Sequence, residues 1–172
     1  MPIFVYDNTF EGLLTCIFEA YSRKQFPDTI QPEGKQPENL FDDTIKIKSD
    51  SEKASRVWKG IQNKLSAKNK QLPYHAFLSE EEEIEIKILR FARRLLSEKE
   101  NIETDFGDPD VMGIFQTARK VKKEAMRMMQ FVRFQQTKDG LYFCGIEPQY
   151  DVLPLVLNHF QNRFADQHWL LY

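Results

Sequence analysis

The side chains whose types and spacing could do chemistry are, first, cations. Arg119, Lys123 and Arg127 follow one another at four-residue intervals, the spacing that stacks side chains on one face of an α-helix. A row of this kind can follow a phosphate backbone. Lys120 and Lys122 reinforce it, and from Arg119 to Phe134 six basic residues stand against one acidic residue, Glu124. Arg133 follows among aromatics, in Phe131-Val132-Arg133-Phe134. An arginine in such a setting implies either a structural carboxylate or an anionic ligand. His159 and Arg163 stand one helical turn apart, and Tyr142 and Trp169 offer aromatic faces on which an exposed base could stack.

Acid–base chemistry is the second possibility on paper. Glu11, Glu124 and Glu147 are acids or bases by type, and His159 is a general base or electrophile, provided that they converge in one cleft. Glu124 has the alternative of a plain ion pair with Arg127 or Arg133. The three histidines, His75, His159 and His168, have no metal-site spacing, so neither a metal nor a cofactor is expected. Cys16 and Cys144 lie far apart inside apolar patterns, which argues against a disulfide framework and against a cysteine zinc site. A Cys144–His159 nucleophile pair lacks the sharp glycine turn that would present the thiol. No GxGxxG or GxxxxGK pattern occurs, so kinase, ATPase and dehydrogenase readings fall away.

These groups need elements to hold them. Asp108 as N-cap and Pro109 as first helical residue open a long helix, with Val111, Phe115, Ala118, Val121, Ala125 and Met128 or Met129 on its apolar face. It empties into a β-hairpin, QFVRFQQ-TKDG-LYFCGI, in which Phe131 and Arg133 share one face and Val132 and Phe134 the other. Gly140 suits the left-handed position that closes the loop. Upstream, Pro2–Tyr6 reads as a strand, and Asn8 with Glu11 as a capping box for a helix buried through Phe10, Leu13, Leu14, Ile17, Phe18 and Tyr21. Residues 25–43, with three prolines and Gly34, read as a long surface loop, and residues 44–48 as a short strand. Ser49 or Asp50 caps a helix buried through Ala54, Val57, Trp58, Ile61 and Leu65. The chain turns at Pro73, and Ser79 with Glu82 starts a third helix, the acidic run Glu80–Glu83 at its N-terminus suiting the macrodipole. Residues 97–107 read as a polar loop. Pro154 lies in the first turn of a last helix, and His168–Tyr172 as a strand beginning.

The 172 residues, 41% hydrophobic and 29% charged, suffice for one domain with a proper core, rich in aromatics given 14 Phe, 6 Tyr and 2 Trp. A net charge of −2 excludes a protein that coats nucleic acid through bulk charge, yet the charge is unevenly spread: residues 1–43 hold three basic and eight acidic side chains. MPIFVYDN has neither the charged start nor the apolar run of a signal peptide, and no stretch approaches a membrane span. A soluble, cytoplasmic protein that does not engage membranes is expected. The fold expected is α+β: about five helices packed on a small, mainly antiparallel sheet, with the hairpin near residues 131–146. It is read as a single domain over 1–172, and because the chain stops on an apolar run the natural protein is expected to continue.

Four ordered blocks carry a family resemblance: YDNTFEGLLTCIFEAY, RKVKKEAMRMMQFVRF, DGLYFCGIEPQYDVLPLVLNHFQNRF and the closing His168-Trp169. Together they resemble a bacterial family of DNA metabolism proteins built on a domain of unknown function. The resemblance is weakest over 25–110, where AFLSE at 76–80 is the matching piece. It implies association with a radical SAM protein of DNA modification or repair, and in some members fusion to a uracil-DNA glycosylase-like domain. Members commonly run on past the tryptophan. Tyr6, Asp7, Glu11, Glu124, Arg133, Glu147, His159, Arg163 and Trp169 match its recurring polar pattern, to which the family gives no roles. The function expected is an accessory protein of DNA repair or modification, contacting DNA or the radical SAM partner through the basic helix and hairpin. Two alternatives stand beside it: a nucleic-acid-processing enzyme using the Glu and His residues, and an adaptor that binds protein and never touches DNA.

Overall fold

The computed structural model describes residues 2–34, 43–98 and 101–172. Among these residues the order is β1 (Ile3–Tyr6), α1 (Phe10–Ser22), β2 (Thr29–Pro32), β3 (Thr44–Lys46), α2 (Ser51–Lys64), α3 (Leu72–Phe77), α4 (Ile84–Ser97), α5 (Pro109–Phe131), β4 (Gln135–Gln136), β5 (Tyr142–Cys144), α6 (Leu153–Arg163) and β6 (Trp169–Leu171). The α+β class stands. The expected mainly antiparallel sheet does not: the strands form two three-stranded sheets, β2-β1-β3 and β4-β5-β6. Only the β4–β5 pair is antiparallel, while β1–β2, β1–β3 and β5–β6 are parallel.

The first sheet is parallel because α1 returns the chain across it, as a parallel connection requires. Residues 29–32, expected as loop, are its β2. Pro32 is tolerated at the last position of this edge strand, and the next residue, Glu33, supplies the N–H that reaches the Tyr6 carbonyl at 2.7 Å. The part of the expected loop at 35–42 lies outside the described residues. Phe4 and Tyr6 point from the central strand into the core, both essentially inaccessible. The Tyr6 hydroxyl donates to Glu85 at 3.0 Å, joining β1 to the first turn of α4. Burial, with the Glu85 charge added, pushes the Tyr6 phenol far above its ordinary range.

Local rules explain most helix boundaries. Asp50 and Asp108 each accept two backbone N–H groups as N-caps, Asp108 as expected and Asp50 as one of the two residues offered for α2. For α1 the cap is Thr9, which accepts from the Gly12 N–H at 2.9 Å, and Asn8 instead takes a left-handed turn at φ 60°. The third predicted helix starts later than expected. The Ser79 hydroxyl accepts the Glu81 N–H in a local turn, and Glu80 and Glu83 are left-handed, so α4 begins only at Ile84. The turn around Pro73 is itself a sixth helix, α3, with proline in its first turn. Its Tyr74 and Phe77 rings close on Phe10, which also meets Trp58 at 5.2 Å.

Two apolar clusters result. The first gathers β1, α1, α2, α4 and the start of α5, through Val111, Ile114 and Ala118. The second gathers Leu78 at the end of α3, Val121 and Ala125 of α5, and Val152, Val156 and Phe160 around α6, with Phe134, Trp169 and Leu171 packed against it. Thus α5 threads both clusters, and Phe77 packs on each. Cys16 is fully buried in the first, where burial pushes its thiol up to about 12, whereas Cys144 is only partly covered. Among the described residues no helix is long and apolar enough to cross a membrane.

Candidate functional site

The outer face of α5 carries an open groove of about 960 Å³. Its apolar wall is Leu72, Phe106, Met112, Phe115 and Met126, and its basic rim is Arg119, Lys120, Lys122 and Lys123. Helical geometry makes this arrangement: positions 112, 115, 119, 122 and 126 climb one side of the helix at intervals of three and four. Along this strip Met112 and Phe115 come first, Arg119 and Lys122 follow, and Met126 comes last.

The cations differ in how committed they are. The Lys120 ammonium sits 3.2 Å from Glu81, whose other oxygen accepts from the Thr117 hydroxyl at 3.0 Å. Arg119, Lys122, Lys123 and Arg127 make no hydrogen bond or ion pair with any described residue. On α3, the half-buried His75 imidazole is held below its ordinary value by burial and next by the Lys122 charge.

The opposite lip is the loop before α5, and it is tightly anchored rather than the plain polar loop expected. Ile102 and Glu103 are buried, and the Glu103 carboxylate accepts from the Ser66 N–H and from Asn69. Arg94 reaches Glu98, Asp105 and Asp108 at 2.7, 2.5 and 2.6 Å. This bracket joins the end of α4 to the N-cap of α5 and holds Phe106 between its two carboxylate anchors. The Phe106 ring is 47% exposed and meets Phe115 edge-on at 5.3 Å.

Of the expected binding residues, the structure brings Arg119 and Lys123 into the groove and leaves Arg127 farther along the same helix. The others have different surroundings. Helix α5 runs to Phe131, so Arg133 is not on the strand that alternation suggested. Its guanidinium donates to the carbonyls of Gln130 and Val132, closing the helix C-terminus. Tyr142 packs on Phe164 at 5.2 Å, and Trp169 on Phe134 at 6.1 Å; both belong to the second sheet and pack on neighbouring rings. Arg163 lies over Phe164 at 5.8 Å, and His159 is exposed beside Phe160.

The candidate acids and bases are not linked. No hydrogen bond joins any two of Glu11, Glu124, Glu147 and His159 among the described residues. Glu124 has neither Arg127 nor Arg133 as partner. It accepts the backbone N–H groups of Gln149 and Tyr150 at 2.8 and 2.9 Å, pinning the approach to α6 onto α5. Hydrogen bonds to a charged acceptor contribute about 1.5–3 kcal/mol each, so Glu124→Ala, which removes two of them, is expected to lower stability by about 3 kcal/mol, with Glu124→Gln intermediate. Urea unfolding checks this. Asp7, also in the family pattern, is a structural clamp: its carboxylate accepts from the Thr9 N–H and hydroxyl and from Ser49 at 2.6 Å. Burial opposes its charge, but these hydrogen bonds outweigh burial and lower its pKa.

Sequence reasoning missed Phe106, Met112 and Met126. The two methionines did leave a signal, since both fall off the apolar stripe of α5 and are exposed at 37% and 52%. Phe106 left none, because its place depends on Arg94 folding the loop back. Among the described residues no cluster of three or more His, Cys, Asp or Glu side chains could hold a metal ion.

No curated protein and no solved structure matches the chain. A family model does: residues 82–172, from just before α4 to the last residue, match a family described as a domain of unknown function, DUF4130. The match covers more than half of the chain, and the protein belongs to that family.

Proposed function

We propose that this protein is an accessory component of DNA metabolism that holds DNA against the outer face of α5. The observation that carries the reading is the set of cations without described partners, Arg119, Lys122, Lys123 and Arg127, along one exposed helix in a chain of net charge −2. Successive cations four residues apart rise about 6 Å along the axis, so one helix face meets several phosphates of a single backbone. The family resemblance supplies the context, a radical SAM protein of DNA modification or repair as the partner that performs the chemistry. In this reading the chain positions DNA, and its own Glu and His side chains take no catalytic part.

The test is a titration of labelled DNA with the protein between about 50 and 200 mM salt. Three to four phosphate contacts give a log–log salt slope of about −3. The variant Arg119→Gln/Lys123→Gln/Arg127→Gln, with folding checked by circular dichroism, should bind far more weakly and with a slope shallower by about 1 for each contact removed. Binding indifferent to salt, or unchanged in the variant, would end the proposal.

A further inference from the structure

We infer that the α5 groove is built for single-stranded nucleic acid, with at least one unpaired base seated against Phe106 while the cations hold its backbone. The inference rests on the DNA-contact reading above and names the form of DNA it concerns.

A duplex presents phosphates to a helix face and keeps its bases stacked inside, so a row of cations alone would suffice for it. The groove has more than that. Phe106, Met112 and Met126 expose apolar surface in the same groove as Arg119, Lys122 and Lys123. A groove that sets exposed apolar side chains beside a run of cations matches a ligand with both charged and flat apolar parts. A single strand is such a ligand: the cations track its backbone and the rings and thioethers take its bases. Met112 and Met126 are about 21 Å apart along the helix axis, room for several nucleotides. Phe106 is also prepared in advance. Arg94 ties Asp105 and Asp108 on either side of it, and Glu103 fixes the loop before it, so the ring is in place before any base arrives. Preorganisation of this kind cuts the ordering cost of binding. An acidic protein helix would use the cations as well, and the peptide arm of the test below distinguishes it.

The full chain is tested by fluorescence anisotropy against three probes of equal length: oligothymidine, a mixed-sequence duplex, and a single strand carrying abasic sites. Expected are tighter binding of oligothymidine than of duplex by roughly tenfold, and loss of that advantage both in Phe106→Ala and on the abasic strand, since one base–aromatic stack has about that worth. The abasic comparison needs no variant and so does not depend on how Phe106→Ala folds. Equal or tighter binding of duplex overturns the inference and leaves the DNA-contact reading standing. An abasic strand bound as tightly as oligothymidine overturns it as well, because the bases would then be idle. If neither form of DNA binds, and an acidic amphipathic peptide does, both readings fail and the groove is a protein-docking surface.

Discussion

Gly12→Ala is expected to lower stability by about 2–3 kcal/mol and the melting temperature by roughly 5–10 °C for a chain of this size. A methyl group at this buried position would collide with Asp7 Oδ1 and meet Ser49 Oγ at 2.9 Å and the Tyr6 ring at 3.0 Å. A terminal carboxylate oxygen could ordinarily swing aside. Here it is held by the Thr9 N–H and hydroxyl at 3.1 and 2.7 Å, and its partner oxygen by Ser49. Moving it undoes the turn that carries the chain from β1 into α1 and onto the start of α2. The cause is separable by a double-mutant cycle. In an Asp7→Ala background the added methyl loses its worst neighbour, and its cost should shrink by about 1 kcal/mol or more. Equal cost in both backgrounds would place the strain at Tyr6 instead. Thermal and urea unfolding of the four proteins decide it.

Phe160→Ala is expected to cost about 3–5 kcal/mol, the range for removing a buried ring without collapse of the space left behind. The Phe160 ring is fully buried, meets Phe134 at 5.3 Å and Trp169 at 6.5 Å, and lies in the cluster with Val121, Ala125, Val152 and Val156. Its loss removes what holds α6 and the second sheet on the back of α5. The damage should be regional: amide hydrogen exchange should quicken across β4, β5, α6 and β6 while α1, α2 and α4 keep their protection. Loss of protection throughout, including around Phe4 and Phe91, would mean that the two clusters open as one.

The contrast between these regions follows what local sequence can express. The α5 helix was legible almost to the residue, because Asp108-Pro109 announces its start and the apolar stripe from Val111 to Ala125 has one period throughout. Its end was not: Phe131 and Val132 have strong strand propensity, yet the Val132 N–H is taken by the Met128 carbonyl, and backbone continuity won over side-chain type. The parallel first sheet was hidden because its β2, Thr29-Ile30-Gln31-Pro32, is short and ends in proline, a combination that reads as loop until a neighbouring strand is known. The candidate site was half legible. Arg119 and Lys123 were found because four-residue spacing is local information. The backbone partners of Arg133 and Glu124 were not legible, because a charged side chain that binds backbone carries no mark in the sequence of what it binds. Phe106 entered only through Arg94, eleven or more residues away from the aspartates and phenylalanine that it organises.

The region of family similarity begins at residue 82, and α4 begins two residues later. Yet Ile88, Phe91, Ala92 and Leu95 of α4 are buried in one cluster with Phe4, Leu13, Ile17 and Ile61, all of which precede that boundary. The recognisable stretch therefore stops in the middle of a core, not at its edge. Cut free at residue 82, it would present to water the greasy side of a helix that in the whole chain never sees it, and would be expected to clump or to recruit a substitute. Any protein that carries this stretch behind a different N-terminal half must supply its own equivalent of β1, α1 and α2. What is inherited as a block is thus smaller than what must fold as one.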